Sequence, residues 1–304
     1  MSDRNARAED ARRLLDPELV ARLRSMDLRA RLVVEGFLAG LHRSPYRGFS
    51  VEFAEHRQYM PGDEIRRVDW RVYGKTDRFY IREYEEETNL RAQIILDVSG
   101  SMDFRGSGIS KLQYASHLAA ALSYLLVHQK DSVGLAAFDD RLRSYIPPRS
   151  APGHLNVILS HLARLKPGGD TNLAATFHEL AERIRRRGLI VVISDLWDEP
   201  GDVLTALRHF RHRRHEVIVF HVLDEAEREL GFRGPAKLRD METGREITVD
   251  ARSAAGRYRT SVRSFFSRIE RGCHEARIDY HQLTTSEPYD RALMAFLTRR
   301  HAIG

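Results

Sequence analysis

The sequence predicts an α/β fold: an open, mostly parallel sheet with helices on both faces, preceded by a small N-terminal α+β module. Three observations predict it. From Arg91 onward, strand-like and helix-like segments alternate to the end of the chain. The strand-like segments are short and almost continuously apolar, as buried parallel strands are. Residues 1–90 follow a different pattern, so the chain divides at about 90 into a first module (1–90) and a second domain (91–304).

In the first module, Asp16 is a helix N-cap and Pro17 takes the first helical position. Leu19, Val20, Leu23 and Met26 then form one apolar stripe. From Ser44 the chain becomes aromatic, with Phe49, Phe53, Tyr59, Trp70 and Tyr73 in short segments. Pro61-Gly62-Asp63 reads as a turn and Phe79–Tyr84 as a strand.

In the second domain, Gln93–Leu96 is the first strand. Lys111–His128 carries Leu112, Ala115, Leu118, Ala119, Leu122, Leu125 and Leu126 at helical spacing. Val133–Phe138 is the next strand, followed by helices at Gly153–Leu165 and Leu173–Arg187. Leu189–Ile193 is a strand, Asp202–Arg213 a helix and Glu216–Val222 a strand. Leu238–Val249 is expected to form a hairpin around Thr243-Gly244. A helix over Ala251–Gly272, an edge strand at Ile278–Leu283 and a helix over Tyr289–Arg300 close the chain.

In such a sheet, ligands bind beyond the carboxyl ends of the strands. Three oxygen-rich segments fall there: Asp97-Val98-Ser99-Gly100-Ser101 after one strand, Gly168-Gly169-Asp170-Thr171-Asn172 opening a helix, and Ser194-Asp195 after another strand. They offer only hard oxygen donors, which suit a small divalent cation completed by water. Ser99 and Ser101, two apart, can turn both hydroxyls toward one point. Neutral hydroxyls leave the ion undercompensated, so its open position can take a carboxylate from a partner.

Residues 91–300 resemble von Willebrand factor type A domains, Rossmann-like α/β domains with a metal-ion-dependent adhesion site. The resemblance implies that Asp97, Ser99, Ser101, Thr171 and Asp195 are the metal set, with Mg²⁺ or Mn²⁺ as cofactor. All five positions match the pattern. Asp103, Asp139 and Asp170 are candidates for groups just behind the ligands, or plain turn and cap residues.

Upstream runs His56-Arg57-Gln58-Tyr59-Met60-Pro61-Gly62-Asp63-Glu64-Ile65-Arg66-Arg67-Val68-Asp69-Trp70, and further on Glu83-Tyr84-Glu85-Glu86-Glu87. This motif resembles the bacterial domain of unknown function 58 family, which places it before a von Willebrand A-like domain. The resemblance implies a MoxR-type AAA+ ATPase as partner and carries no catalytic activity. Many members have transmembrane helices; this chain is similar to the short soluble branch. Arg57, Arg66 and Arg67 can make forked hydrogen bonds to Asp63, Asp69 or the glutamate run. Tyr59 and Trp70 can anchor that lattice. It either holds the module to the sheet or faces a partner through Arg57, Tyr59, Asp63, Arg66, Asp69 and Trp70.

Other signals are weaker. His209, His212 and His215 recur every third residue beside arginines and read as a solvated helix end rather than a zinc site. The single cysteine, Cys273, excludes an intrachain disulfide and reads as an inert helix thiol. No apolar run reaches the roughly 18 residues that span a bilayer, and no signal-peptide core follows the N-terminus, so a cytoplasmic protein is expected. Neither a nucleophile elbow nor a phosphate-binding loop occurs. A non-enzymatic interaction module is therefore expected, with a Mg²⁺-dependent hydrolase and an arginine-based nucleic-acid binder as alternatives.

The net charge of +6 comes from 49 basic and 43 acidic residues; only five of the basic ones are lysine. Residues 1–90 are balanced, at 17 of each sign, so the excess belongs to residues 91–304. Its densest clusters, Arg183 to Arg187 and Arg208 to Arg214, fall at expected helix C-termini, where cations complement the helix dipole. They should lie on the face away from the oxygen-rich loops.

Overall fold

The computed structural model describes residues 57–58, 73–74, 80–81 and 90–303, apart from 107, 152, 229–233 and 242–243. The chain divides into two compact units: Gly36–Asn89, and the unit that contains Leu90–Gly304. In the first, Arg57–Gln58 (β1) pairs antiparallel with Tyr80–Ile81 (β2), the described part of the expected Phe79–Tyr84 strand. The expected helix after Asp16 lies outside the described residues.

The second unit opens with β3 (Arg91–Asp97), then α1 (Lys111–His128), β4 (Ser132–Phe138), β5 (Leu142–Arg149), α2 (His154–Leu162) and α3 (Leu173–Arg183). It continues with β6 (Leu189–Ser194), α4 (Pro200–His212), β7 (Glu216–Leu223) and the single turn α5 (Glu225–Arg228). A separate antiparallel hairpin, β8 (Pro235–Arg239) with β9 (Glu246–Asp250), precedes α6 (Ala251–Glu275), β10 (Asp279–Thr284) and α7 (Asp290–Ile303).

Six strands form one sheet in the order β10-β7-β6-β3-β4-β5, and all but β5 run parallel. The apolar runs explain the centre: β3, β4, β6 and β7 are buried along nearly their whole length. Their residues alternate between two covered faces. Ile95, Ala136, Val192 and Val219 pack with Phe177 of α3, Phe210 of α4 and Ile269 of α6. Phe177 meets Phe138 and Phe210 at ring-centre distances of 5.2 and 5.8 Å. The buried residues Leu118 and Leu122 of α1 and Leu293 and Phe296 of α7 lie outside that cluster. Strand order reverses between β3 and β6, so their carboxyl ends diverge into helices on different sides and leave a crevice.

Three local expectations change. No strand was expected over β5, which contains Pro147-Pro148. The proline pair is tolerated because β5 is an edge strand, where the missing N–H groups need no partner, and its pairing with β4 is irregular. The helix expected to reach Arg187 ends at Arg183. The chain turns at Ile184, which is buried, and leaves Arg185, Arg186 and Arg187 exposed. The helix expected over Gly153–Leu165 is confined to His154–Leu162, with Gly153 in the left-handed region at φ 78°. Among the described residues, no helix is long and apolar enough to cross a membrane.

Candidate metal centre

Asp97 is the last residue of β3 and is fully buried. Its Oδ1 accepts the Ser99 amide at 2.9 Å, and its Oδ2 accepts the Ser194 hydroxyl at 2.6 Å. Ser194 comes from the adjacent β6, so the carboxylate is held across the strand reversal. Burial and the nearby charge of Asp195 push the Asp97 carboxyl up to about 7.

After Asp97 the chain makes a 3-10 turn over Gly100–Asp103. The turn brings the Ser99 and Ser101 hydroxyl oxygens to 3.0 Å from each other. The second loop is tied to this one by backbone: Gly168 donates to the Val98 carbonyl at 2.9 Å and Gly100 to the Gly169 carbonyl at 3.0 Å. Thr171, half-buried, follows two residues later. Gly169 sits at φ 83°, and a Cβ there would lie 2.7 Å from Asp139 Oδ2. Both facts require glycine. Asp139 is buried, pairs with Arg143, accepts the Arg141 amide at 3.2 Å and receives the Asn172 amide on its carbonyl at 3.4 Å. These contacts tie Asp139 to the Thr171 loop. Asn172 caps α3 by accepting the Ala175 amide.

The third loop carries Asp195, fully buried one residue past β6. Its Oδ2 faces the Lys111 ammonium at 2.7 Å, and Lys111 also reaches Glu227 Oε1 at 2.5 Å. Both Lys111 and Asp195 side chains are wholly inaccessible. Burial disfavours the Lys111 charge, but Asp195 and Glu227 outweigh it and raise the amine above its usual value.

The structure thus joins the Asp97, Ser99 and Ser101 positions, and hydrogen bonds fasten the Thr171 loop to them. Asp195 follows the neighbouring strand. The donor chemistry fits a hard divalent cation: two carboxylates and three hydroxyls, all oxygen. Among the described residues there is no group of three or more His, Cys, Asp or Glu able to hold a metal, so the hydroxyls are essential to this reading. Asp103 and Asp170 are exposed. Tyr59, Asp63, Arg66, Asp69 and Trp70 lie outside the described residues, and the backbone of Arg57 pairs with Ile81. The histidines do not converge: His209 meets His178 at 2.7 Å, while His215 is buried and bonds the Ile184 carbonyl. Cys273 is buried, and burial pushes its thiol up to about 12.

Sequence reasoning placed Ser194 in an oxygen-rich segment without giving it a role, and missed Lys111 and Glu227. Ser194 is one residue from Asp195, a candidate ligand. Lys111 carried a usable signal: a lysine in the first turn of a helix opposes the helix dipole.

The basic residues collect at the other end of the sheet. Arg91, Arg183, Arg185 and Arg186 line a cavity of about 210 Å³ beside the first residues of β3 and β6. The Arg183 guanidinium lies 4.6 Å from the Tyr145 ring centre.

Comparison with known proteins adds the following. The family described as "Protein of unknown function DUF58" matches residues 55–267. The chain is 31% identical over 270 residues to uncharacterized protein Rv1480 of Mycobacterium tuberculosis and to uncharacterized protein Mb1516 of Mycobacterium bovis. Each alignment covers 85% of this chain and 83% of the relative. Among solved structures, it is similar to conserved hypothetical protein BatB from Bacteroides thetaiotaomicron, at TM-score 0.49 and 16% identity over 71% of this chain and all of that one. It is also similar to the SpRpn10 VWA domain, at TM-score 0.41 and 11% identity, covering 69% and 95%.

Proposed function

Because the chain belongs to the DUF58 family, we propose that it is a non-enzymatic protein-interaction module that captures its partner through a divalent metal ion. Asp97, Ser99, Ser101, Thr171 and Asp195 hold Mg²⁺ or Mn²⁺. The ion, when bound, supplies an open coordination position for an acidic side chain of the partner. The observation that carries this reading is the pair of hydroxyls at 3.0 Å beside a buried carboxylate that feels the charge of a second one. Carboxylates alone would neutralise the ion. Hydroxyls leave positive charge for a partner to satisfy.

The partner is a MoxR-type AAA+ ATPase or a client delivered to it, and the work is maturation or assembly of another protein complex in the cytoplasm. That partner follows from the resemblance of the upstream arginine-rich motif. The test is a pull-down of the ATPase on the full chain with Mg²⁺, with EDTA, and with Asp97→Ala. Capture with Mg²⁺ and loss in the other two supports the reading. Equal capture in all three rejects it.

A further inference from the structure

We propose that Lys111 is a built-in counter-cation of this centre: it competes with the divalent ion for Asp195 and keeps the loaded centre neutral, so that a partner's carboxylate can join it. The proposal rests on the metal reading above and adds to it what sets affinity and ligand sign.

The geometry is specific. Lys111 occupies the first position of α1, where the helix dipole disfavours a cation. Its side chain is wholly inaccessible, which costs more. Two carboxylates from distant parts of the chain offset both costs, Asp195 at 2.7 Å and Glu227 at 2.5 Å. The Phe104 ring lies 5.7 Å from the amine. Glu227 is itself fixed, because its Oε2 accepts the Asp224 amide at 2.9 Å and its carbonyl accepts the Tyr258 hydroxyl at 2.7 Å. The chain uses arginine almost everywhere else. A compact ammonium fits between two carboxylates where a planar guanidinium fork would not.

The charge follows directly. Ionised Asp97, Asp195 and Glu227 with protonated Lys111 sum to −2, which one divalent ion cancels. A partner carboxylate then meets no net repulsion. Without Lys111 the loaded centre carries −1 and repels it, while the freed Asp195 oxygen holds the ion more tightly.

The experiment titrates Mn²⁺ into the full chain by calorimetry, for wild type, Lys111→Met and the double variant Lys111→Met/Glu227→Gln. The double variant removes one charge of each sign and avoids a bare buried carboxylate. Acetate binding to the Mn²⁺-loaded proteins is then read from water-proton relaxation. The expected result is Mn²⁺ affinity at least about tenfold tighter in both variants. Acetate binding should be weakened in Lys111→Met and regained in the double variant. Unchanged or weaker Mn²⁺ affinity in both variants, with a cooperative melt retained, overturns the proposal and leaves the metal site standing. Binding in the variants but not in wild type supports it. Absence of binding in all three overturns both readings.

Discussion

The Gly100 amide donates to the Gly169 carbonyl at 3.0 Å, which joins the loop after β3 to the loop before α3. The approach is close: a Cβ on Gly100 would lie 2.8 Å from the Met241 carbonyl and 3.3 Å from that of Gly169. Gly100→Ala must therefore displace the Met241 carbonyl and press on the Gly169 loop. The expected cost is about 1–3 kcal/mol of stability, with a several-fold loss of Mn²⁺ affinity. Chemical denaturation and calorimetry check the two effects. Wild-type affinity in a folded Gly100→Ala protein would show that the loops act separately.

The aromatic column Phe138–Phe177–Phe210 bridges β4, α3 and α4 with every member fully buried. Phe177→Ala is expected to cost about 3–5 kcal/mol. A loss under about 1 kcal/mol in denaturant unfolding would contradict the assigned core.

Two buried groups give opposite pH slopes in metal-free protein. Burial lowers the His221 ring to about 4 from 6.5, so it is neutral in the fold. The unfolded chain takes up its proton first, and stability is lost as pH falls from 6.5 toward 4. That loss is on the order of 3 kcal/mol. Asp97, raised from 3.8 to about 7, holds a proton in the metal-free fold below about pH 7. Its contribution is complete below 3.8 and is lost as pH rises through 7. Between them the wild-type profile from pH 4 to 6.5 should be shallow. His221→Gln in EDTA should become more stable relative to wild type as pH falls. Parallel melting-temperature profiles for the two proteins would contradict this.

Cys273 should resist iodoacetamide at pH 8 in the folded chain and react on denaturation, because its thiol is buried and pushed up to about 12. Mass spectrometry of the intact chain reads the outcome. Rapid native alkylation would place the thiol at the surface.

The central strands were legible because unbroken apolar runs such as Leu189–Ile193 have few alternatives once they alternate with helices. β5 was hidden by its two prolines, since edge pairing depends on a neighbour rather than on local pattern. Asp97, Ser99 and Ser101 were legible because they sit within five residues, and Asp195 because it follows a strand. Glu227 was not: it meets Lys111 across 116 residues, and only the folded sheet brings β7's end to α1's start. The arginine clusters were expected away from the oxygen-rich loops, and Arg183, Arg185 and Arg186 do line a cavity at the strand starts.

The most direct measurement is calorimetric titration of Mg²⁺ and Mn²⁺ into the full chain and into Asp97→Ala and Ser99→Ala/Ser101→Ala. The account predicts one ion per chain in wild type, at least about tenfold weaker binding in the hydroxyl variant, and none in Asp97→Ala. Equal binding by all three proteins, or no binding by the folded wild type, would contradict it.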